Sequence, residues 1–193
     1  MRKALPLLLI AFLIGVGYFL FVNTNNSPTS MQISTNSTNP ASLNITSPAF
    51  AMNGLIPARF TCDGKNISPE LNFSNIPERT VSLALTMEDP DVPKTARPDG
   101  MWNHWIVWNI PKDTTTLKEG SVPPGSVGTN TGGQTAYAGP CPPDREHRYF
   151  FALYALDAKL TLPEGATKEE LLSAIAPHII EKATLMGRYN RAK

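Results

Sequence analysis

The stretch HRYFFALYAL, residues 147–156, decides the fold of this 193-residue chain. After its first two residues the stretch is apolar or aromatic throughout, so neither of its faces is suited to water. A strand that is buried on both faces lies in the middle of a sheet. We therefore predict a central β-strand at 147–156, and the other elements are placed around it.

Further strands are predicted on both sides of this stretch. RTVSLALTMED (79–89) alternates apolar with small or polar residues, which indicates a half-buried strand. HWIVWNIP (104–111) is rich in β-branched and aromatic residues and ends at a proline. SLNITSPAF (42–50) and ATLMGRY (183–189) are candidates for a first and a last strand.

One helix is clearly signalled near the carboxyl end. Thr167 with Glu170 forms a capping box, and a run of apolar residues then falls on one helical face. The apolar residues are Leu171, Leu172, Ile175, Ala176 and Ile179. Since strands dominate and do not alternate with helices, the predicted fold class is mainly β, an antiparallel β-sandwich with a few peripheral helices.

The amino-terminal segment has a different composition from the rest. Residues 5–22 are uncharged and follow two basic residues, and as a helix they would span about 27 Å, close to the bilayer core. We predict a transmembrane anchor or signal helix over 1–22, a flexible Asn/Ser/Thr-rich linker over 23–43 and a folded domain over 44–193. Whether Leu5–Val22 is cleaved stays open, so the domain is expected outside the cytoplasm, either membrane-anchored or secreted.

Polar residues of functional type lie at the ends of three predicted strands. Asp89 and Asp91 end the first, His104 opens the second, and His147 and Tyr149 open the third. If these ends share one rim, a carboxylate beside an imidazole fixes its tautomer, and the group suits phosphate, sulfate or a carboxylate. A structural interpretation is also open, with the aspartates capping a turn and His104 an ordinary core histidine.

Several motifs together resemble the phosphatidylethanolamine-binding protein family, also called the Raf kinase inhibitor-like family. They are MEDPDVP, WNHWIVWNIP and YAGPCPPDREHRYFFALYALD, while FTCDGKNISPELNFSNIP and LMGRYNR resemble its bacterial and archaeal branch. The resemblance runs over about 47–193. It implies a fold of antiparallel sheets with a small pocket for phosphate, acetate or phosphate-bearing head groups, without turnover, cofactor or metal.

The resemblance also implies which residues form that pocket. The matching positions are Asp89, Asp91, His104, Gly139, Pro140, His147 and Tyr149. The chain departs from the family pattern at Asp144-Arg145-Glu146, where many relatives carry a glycine, and at Gly132-Gly133. A charged Arg145 would change the loop conformation or stand at the pocket mouth, and so affect head-group selectivity.

Three classes of function remain in competition on the sequence. The first is a regulatory or binding protein for a small anion or phospholipid head group. The second is a serine-protease inhibitor, or another protein partner, acting through the loops 90–103 and 119–135. The third is a hydrolase using the Asp/His cluster, but no Gly-x-Ser-x-Gly turn and no short metal-ligand spacing is present, so we predict a non-enzyme. Net charge +1 without a basic run argues against nucleic acid.

The two cysteines allow two interpretations. Outside the cytoplasm Cys62 and Cys141 are an even pair, and a disulfide would tether the proline-rich loop PCPP. Two buried free thiols fit the sequence as well, since related cytosolic chains can carry the same cysteines.

Overall fold

The structure, a computed structural model, describes residues 41–191. Within this range nine strands and one α-helix are formed. The strands are β1 (Asn44–Thr46), β2 (Gly54–Leu55), β3 (Leu71–Ser74), β4 (Ser82–Asp89), β5 (Trp102–Pro111), β6 (Thr116–Leu117), β7 (Ser126–Val127), β8 (His147–Leu156) and β9 (Ile179–Tyr189). The helix is α1 (Lys168–Ile175), and two short 3-10 helices lie at Ala58–Phe60 and Ala176–His178.

The strands form two sheets, one of six strands in the order β2-β9-β8-β4-β5-β7 and one of three in the order β1-β3-β6. β8 pairs antiparallel with both β4 and β9, so the central position predicted for 147–156 is confirmed. An antiparallel sandwich was predicted, but the short β2 runs parallel to β9. The other strand pairs of the larger sheet are antiparallel.

Both faces of the six-stranded sheet are covered. One face packs Leu85, Met87 and Phe151 against residues of the smaller sheet such as Phe73, and this is the main core. The opposite face, which includes Ala84, packs against α1 and the segment before it. β4 is consequently buried on both faces, and the prediction of a half-buried strand was wrong because small and polar residues along it lie under the helix.

The helix begins as predicted and ends earlier. Thr167 accepts a hydrogen bond from the Glu170 amide, and the Glu170 carboxylate accepts one from the Thr167 amide, which completes the capping box. Pro177 cannot supply an amide to extend the helix, so α1 gives way to a 3-10 turn after Ile175. Ile179, predicted on the helical face, starts β9 instead.

The predicted amino-terminal helix requires a correction. The predicted helix over 1–22 and residues 23–40 of the predicted linker lie outside the described residues. Between residues 41 and 191 no helix combines the length and apolar character needed to cross a bilayer, since α1 has eight residues and spans about 12 Å. The predicted fold class is therefore corrected to a mainly β fold with few helices, and the transmembrane or signal helix predicted ahead of the sandwich has no counterpart in the part of the chain that the structure describes.

Candidate functional site

A cavity of about 380 Å³ opens where the ends of β4, β5 and β8 meet a proline-rich loop. A volume of this size is typical of sites for small molecules. The lining residues come from these strand ends, from the loop 92–97 and from the segment around Cys62. They are Cys62, Asn66, Asp89, Val92, Ala96, Arg97, Trp102, His104, Ala138, Gly139, Cys141, Pro143 and His147.

We call Asp89, His104 and His147 the floor residues, because they are the buried polar groups of the cavity. Asp89 Oδ2 and His147 Nδ1 lie 2.7 Å apart, and His147 Nε2 lies 2.9 Å from Asp144 Oδ1. Each ring nitrogen of His147 therefore faces a carboxylate oxygen within hydrogen-bonding distance, and carboxylates accept hydrogen bonds. The hydrogen bond from His147 lowers the pKa of Asp144.

His104 reaches the cavity through a β-bulge. Met87 of β4 pairs with Trp105 and Glu88 pairs with Asn103, so His104 has no partner on β4 and is the extra residue of β5. In a regular strand, neighbouring side chains point to opposite faces. The bulge places the imidazole beside Tyr149 of the main core, with ring centroids 5.3 Å apart.

The hydrogen bonds of His104 fix its tautomer. The Ala138 carbonyl lies 2.7 Å from His104 Nδ1 and can only accept, so Nδ1 carries the proton. Nε2 then bears a lone pair, and this buried atom has no hydrogen-bond partner among residues 41–191. Burial lowers the pKa of His104 to about 4, which keeps the ring neutral at neutral pH.

Three of the predicted site residues support the cavity without lining it. Asp91 binds the Arg148 guanidinium through two hydrogen bonds of 2.7 and 2.8 Å, and these lower the pKa of Asp91. Tyr149 is fully buried beneath His104, and burial raises the pKa of its hydroxyl. The Pro140 carbonyl accepts a hydrogen bond from the Cys62 amide at 3.1 Å.

The segment 138–144, which we call the wall loop, closes one side of the cavity. Cys62 and Cys141 form a disulfide that ties the loop to the segment after Phe60. The Gly139 amide donates to Asn66 Oδ1 at 2.7 Å. A β-carbon at Gly139 would lie only 2.3 Å from the Phe60 carbonyl oxygen, so only glycine allows this close approach.

Sequence reasoning missed several residues of this site. Asp144, which binds His147, lies in the segment recognised only as a departure from the family pattern. Arg145, which was predicted to change the loop or stand at the pocket mouth, donates to the Asp91 carbonyl oxygen at 3.2 Å and is not one of the lining residues. Arg97 lines the cavity and stacks over Trp102 at 5.9 Å. For Asp144, the signal available in the sequence was its position three residues before the predicted site residue His147.

The described residues also bear on metal binding. Between residues 41 and 191 no group of three or more His, Cys, Asp or Glu side chains is arranged to hold a metal ion.

Comparison with known proteins identifies the family. Residues 46–190 match the family described as phosphatidylethanolamine-binding protein. A UPF0098 protein of Chlamydia pneumoniae is 49% identical over 150 residues, which cover 78% of this chain and 100% of that protein. This chain belongs to the phosphatidylethanolamine-binding protein family, and the family resemblance predicted from its motifs is confirmed.

Solved structures agree with this assignment. The crystal structure of a phosphatidylethanolamine-binding protein homologue from Chlamydia trachomatis matches with a TM-score of 0.77 at 47% identity, over 78% of this chain and 99% of that one. Escherichia coli YbcL, described as a new member of the mammalian family, matches with a TM-score of 0.71 at 28% identity, over 79% of this chain and 100% of that one.

Proposed function

We propose that this chain is a binding or regulatory protein whose cavity holds a small anion, either free phosphate or the head group of a phospholipid. The observation that carries the proposal is the buried Asp89–His147 pair beside an unpartnered His104 nitrogen at the bottom of a cavity of about 380 Å³. Buried polar groups are normally satisfied, so a buried nitrogen without a partner supports a ligand that completes the site. Membership of the family supports a ligand of this class.

The charges around the cavity also support an anion. The Arg97 guanidinium lines it, and a cation in a cavity shielded from solvent attracts a phosphate more strongly than it would in water. Aspartates pair with the basic side chains, with Asp99 on Arg97 and with Asp89 and Asp144 on the two ring nitrogens of His147. The aspartates hold these side chains in place and limit the total negative charge that the cavity accepts.

Isothermal titration calorimetry with phosphoethanolamine and with inorganic phosphate tests the proposal. Asp89→Asn and His104→Ala should each abolish measurable binding. His178→Ala and Asp157→Asn are matched controls, because these residues form an exposed ion pair of 2.8 Å away from the cavity. Unchanged binding in both floor variants would show that the ligand site lies elsewhere.

Two features of the site support binding without turnover. Cys141 is held in a disulfide and offers no thiolate nucleophile. Both nitrogens of His147 are engaged by carboxylates, so neither is available to accept a proton from a nucleophile. For the protease-inhibitor alternative, residues 41–191 supply no specific observation that favours it over the cavity.

We also propose that the folded domain works outside the cytoplasm. The Cys62–Cys141 disulfide supports this, because disulfides persist in oxidising compartments and are rare in the cytosol. Intact mass after alkylation of protein taken directly from cells tests it. No alkylated cysteine is expected, whereas alkylation of both cysteines would contradict the proposed location.

A further inference from the structure

The imidazole of His104 is held by the backbone in one tautomer and one orientation. Its Nδ1 donates to the Ala138 carbonyl at 2.7 Å, while the Ala138 amide donates to the His104 carbonyl at 3.0 Å. The ring is wedged against the edge of Tyr149 and is 4% exposed. The ring nitrogen left without a partner is therefore the buried Nε2, and in the neutral ring it is an acceptor.

Four neighbouring groups bear on the charge of this ring. Asp89 on β4 favours the protonated form of His104, while His147 on β8 opposes it. Tyr149, also on β8, is a neutral neighbour, since burial raises the pKa of its hydroxyl. Arg97 from the loop before β5 lines the same cavity and is paired with Asp99. Burial outweighs these contributions, so the pKa of His104 falls to about 4.

A neutral acceptor at the bottom of the cavity limits the form in which a phosphate can bind. A phosphate oxygen without a proton would place a second lone pair against Nε2, and the two acceptors would repel each other. A dianion would in addition stand next to the buried Asp89 carboxylate. One proton must therefore lie between Nε2 and the nearest phosphate oxygen.

We infer that the cavity selects phosphate monoesters in their singly charged form over phosphodiesters, with the remaining phosphate hydroxyl donating to His104 Nε2. This inference rests on the proposed function and names the class of ligand that the site takes. A monoester monoanion brings its own proton on a P–OH group. A diester has no such hydroxyl near neutral pH, so its binding requires His104 itself to take up the proton.

The difference between the two proton sources sets the size of the preference. The second pKa of a phosphate monoester is about 6, so it takes up its proton readily at pH 7. Protonating His104, with a pKa of about 4, is harder by about two pH units. The monoester should bind about a hundredfold more tightly than the diester at pH 7, and about tenfold at pH 5, where the monoester is already protonated.

Calorimetry with two matched ligands tests the inference. Phosphoethanolamine and glycerophosphoethanolamine share the ammonium group and differ in being a monoester and a diester. The expected result is the hundredfold preference at pH 7, shrinking toward tenfold at pH 5. Equal affinity at pH 7, or a preference for the diester, would overturn the inference while leaving the proposed function standing. Absence of binding by either ligand would overturn the proposed function, and this inference with it.

Two further measurements separate the roles of the groups. Methyl phosphate and dimethyl phosphate lack the ammonium, so loss of the preference with this pair would overturn the inference by assigning the donor to the ammonium. His104→Phe keeps an aromatic ring against Tyr149 but removes Nε2, and it should abolish measurable binding of methyl phosphate at pH 7, as expected for His104→Ala. His178→Phe should retain the full preference. Thermal unfolding checks that His104→Phe is folded, and the wild-type ligand comparison stands without it.

Discussion

The floor residues and the wall loop bound the same cavity but are held in different ways. Asp89, His104 and His147 lie at the ends of adjacent strands, so the ladders of β4, β5 and β8 determine their positions. The wall loop is held by contacts with distant segments, namely the disulfide, the hydrogen bonds to Cys62 and Asn66, and the two hydrogen bonds between Ala138 and His104. The chemistry of the site thus depends on the sheet, while its enclosure depends on a few tethers.

The comparison leads to different expectations for perturbation. Removing a floor group leaves a buried charge or polar atom unpaired, which strongly destabilises a folded protein. Removing one of the contacts that hold the wall loop frees that loop, while the strands of the six-stranded sheet remain paired with one another. Floor variants should therefore reduce stability and binding together, whereas wall variants should affect binding while the sheet persists.

The largest expected effect is the loss of stability on removing the Asp89 carboxylate from the floor residues. Asp89→Ala breaks the buried pair of Asp89 and His147, whose atoms lie 2.7 Å apart, and we expect the free energy of unfolding to fall by about 3–5 kcal/mol. Urea denaturation followed by circular dichroism measures it. Asp157→Ala removes the carboxylate from an exposed histidine pair and should change stability little. Similar losses in both variants would contradict a special role of the floor.

The next prediction concerns removal of the disulfide that holds the wall loop. The double variant Cys62→Ser/Cys141→Ser opens a covalent loop with a sequence separation of 79 residues, and we expect stability to fall by about 2–4 kcal/mol. Phosphoethanolamine affinity should fall as well, while the far-ultraviolet circular dichroism spectrum stays unchanged. Dithiothreitol should reproduce the effect in the wild type and do nothing in the variant. Unchanged affinity would mean that the hydrogen bonds alone hold the wall loop.

The pH dependence of stability tests whether His104 is buried as a neutral ring. The pKa of His104 is about 4 in the folded state and about 6.5 in the unfolded state, so between these values the unfolded chain binds one more proton. Stability should therefore fall as the pH drops from 6.5 to 4, by about 3 kcal/mol in total, and this contribution levels off below pH 4. The difference between wild type and His104→Gln isolates it, and identical pH profiles would contradict the burial of a neutral ring.

The smallest expected effect tests the packing of the wall. Gly139→Ala places a β-carbon 2.3 Å from the Phe60 oxygen and 2.8 Å from the Thr61 α-carbon, so the loop must move. We expect a loss of about 1–3 kcal/mol together with weaker phosphoethanolamine binding. Gly132→Ala is the matched control, because its nearest contact is 3.2 Å to the Asn130 side-chain oxygen. Equal stability of the two variants would show that the wall adapts freely.

The difference between floor and wall also explains what the sequence could predict. The floor residues adjoin long strands whose apolar patterns are local, so 79–89, 104–111 and 147–156 were identified and their polar ends were grouped on one rim. The wall contacts join residues between 34 and 79 positions apart, and no local pattern encodes them. The partnership of Asp144 with His147 was missed for a related reason, since it depends on the path of a loop.

Short and exposed strands were also missed or truncated. β2, β6 and β7 have two residues each, and β3 has four, too few to show an alternation. β9 starts at Ile179 rather than at residue 183, because its first half contains no fully buried residue and carries charged residues. The smaller sheet therefore follows from tertiary packing more than from its own sequence.

The bulge at His104 has a consequence for insertions and deletions. One additional residue in β5, compared with β4, turns the imidazole to the cavity side, so the local length of the chain matters as much as the identity of the residue. Deleting Asn103 would retain the histidine in the sequence and restore a regular pleat, which carries the imidazole away from the cavity. A relative with a histidine at the aligned position but a shorter strand would therefore lack this part of the site.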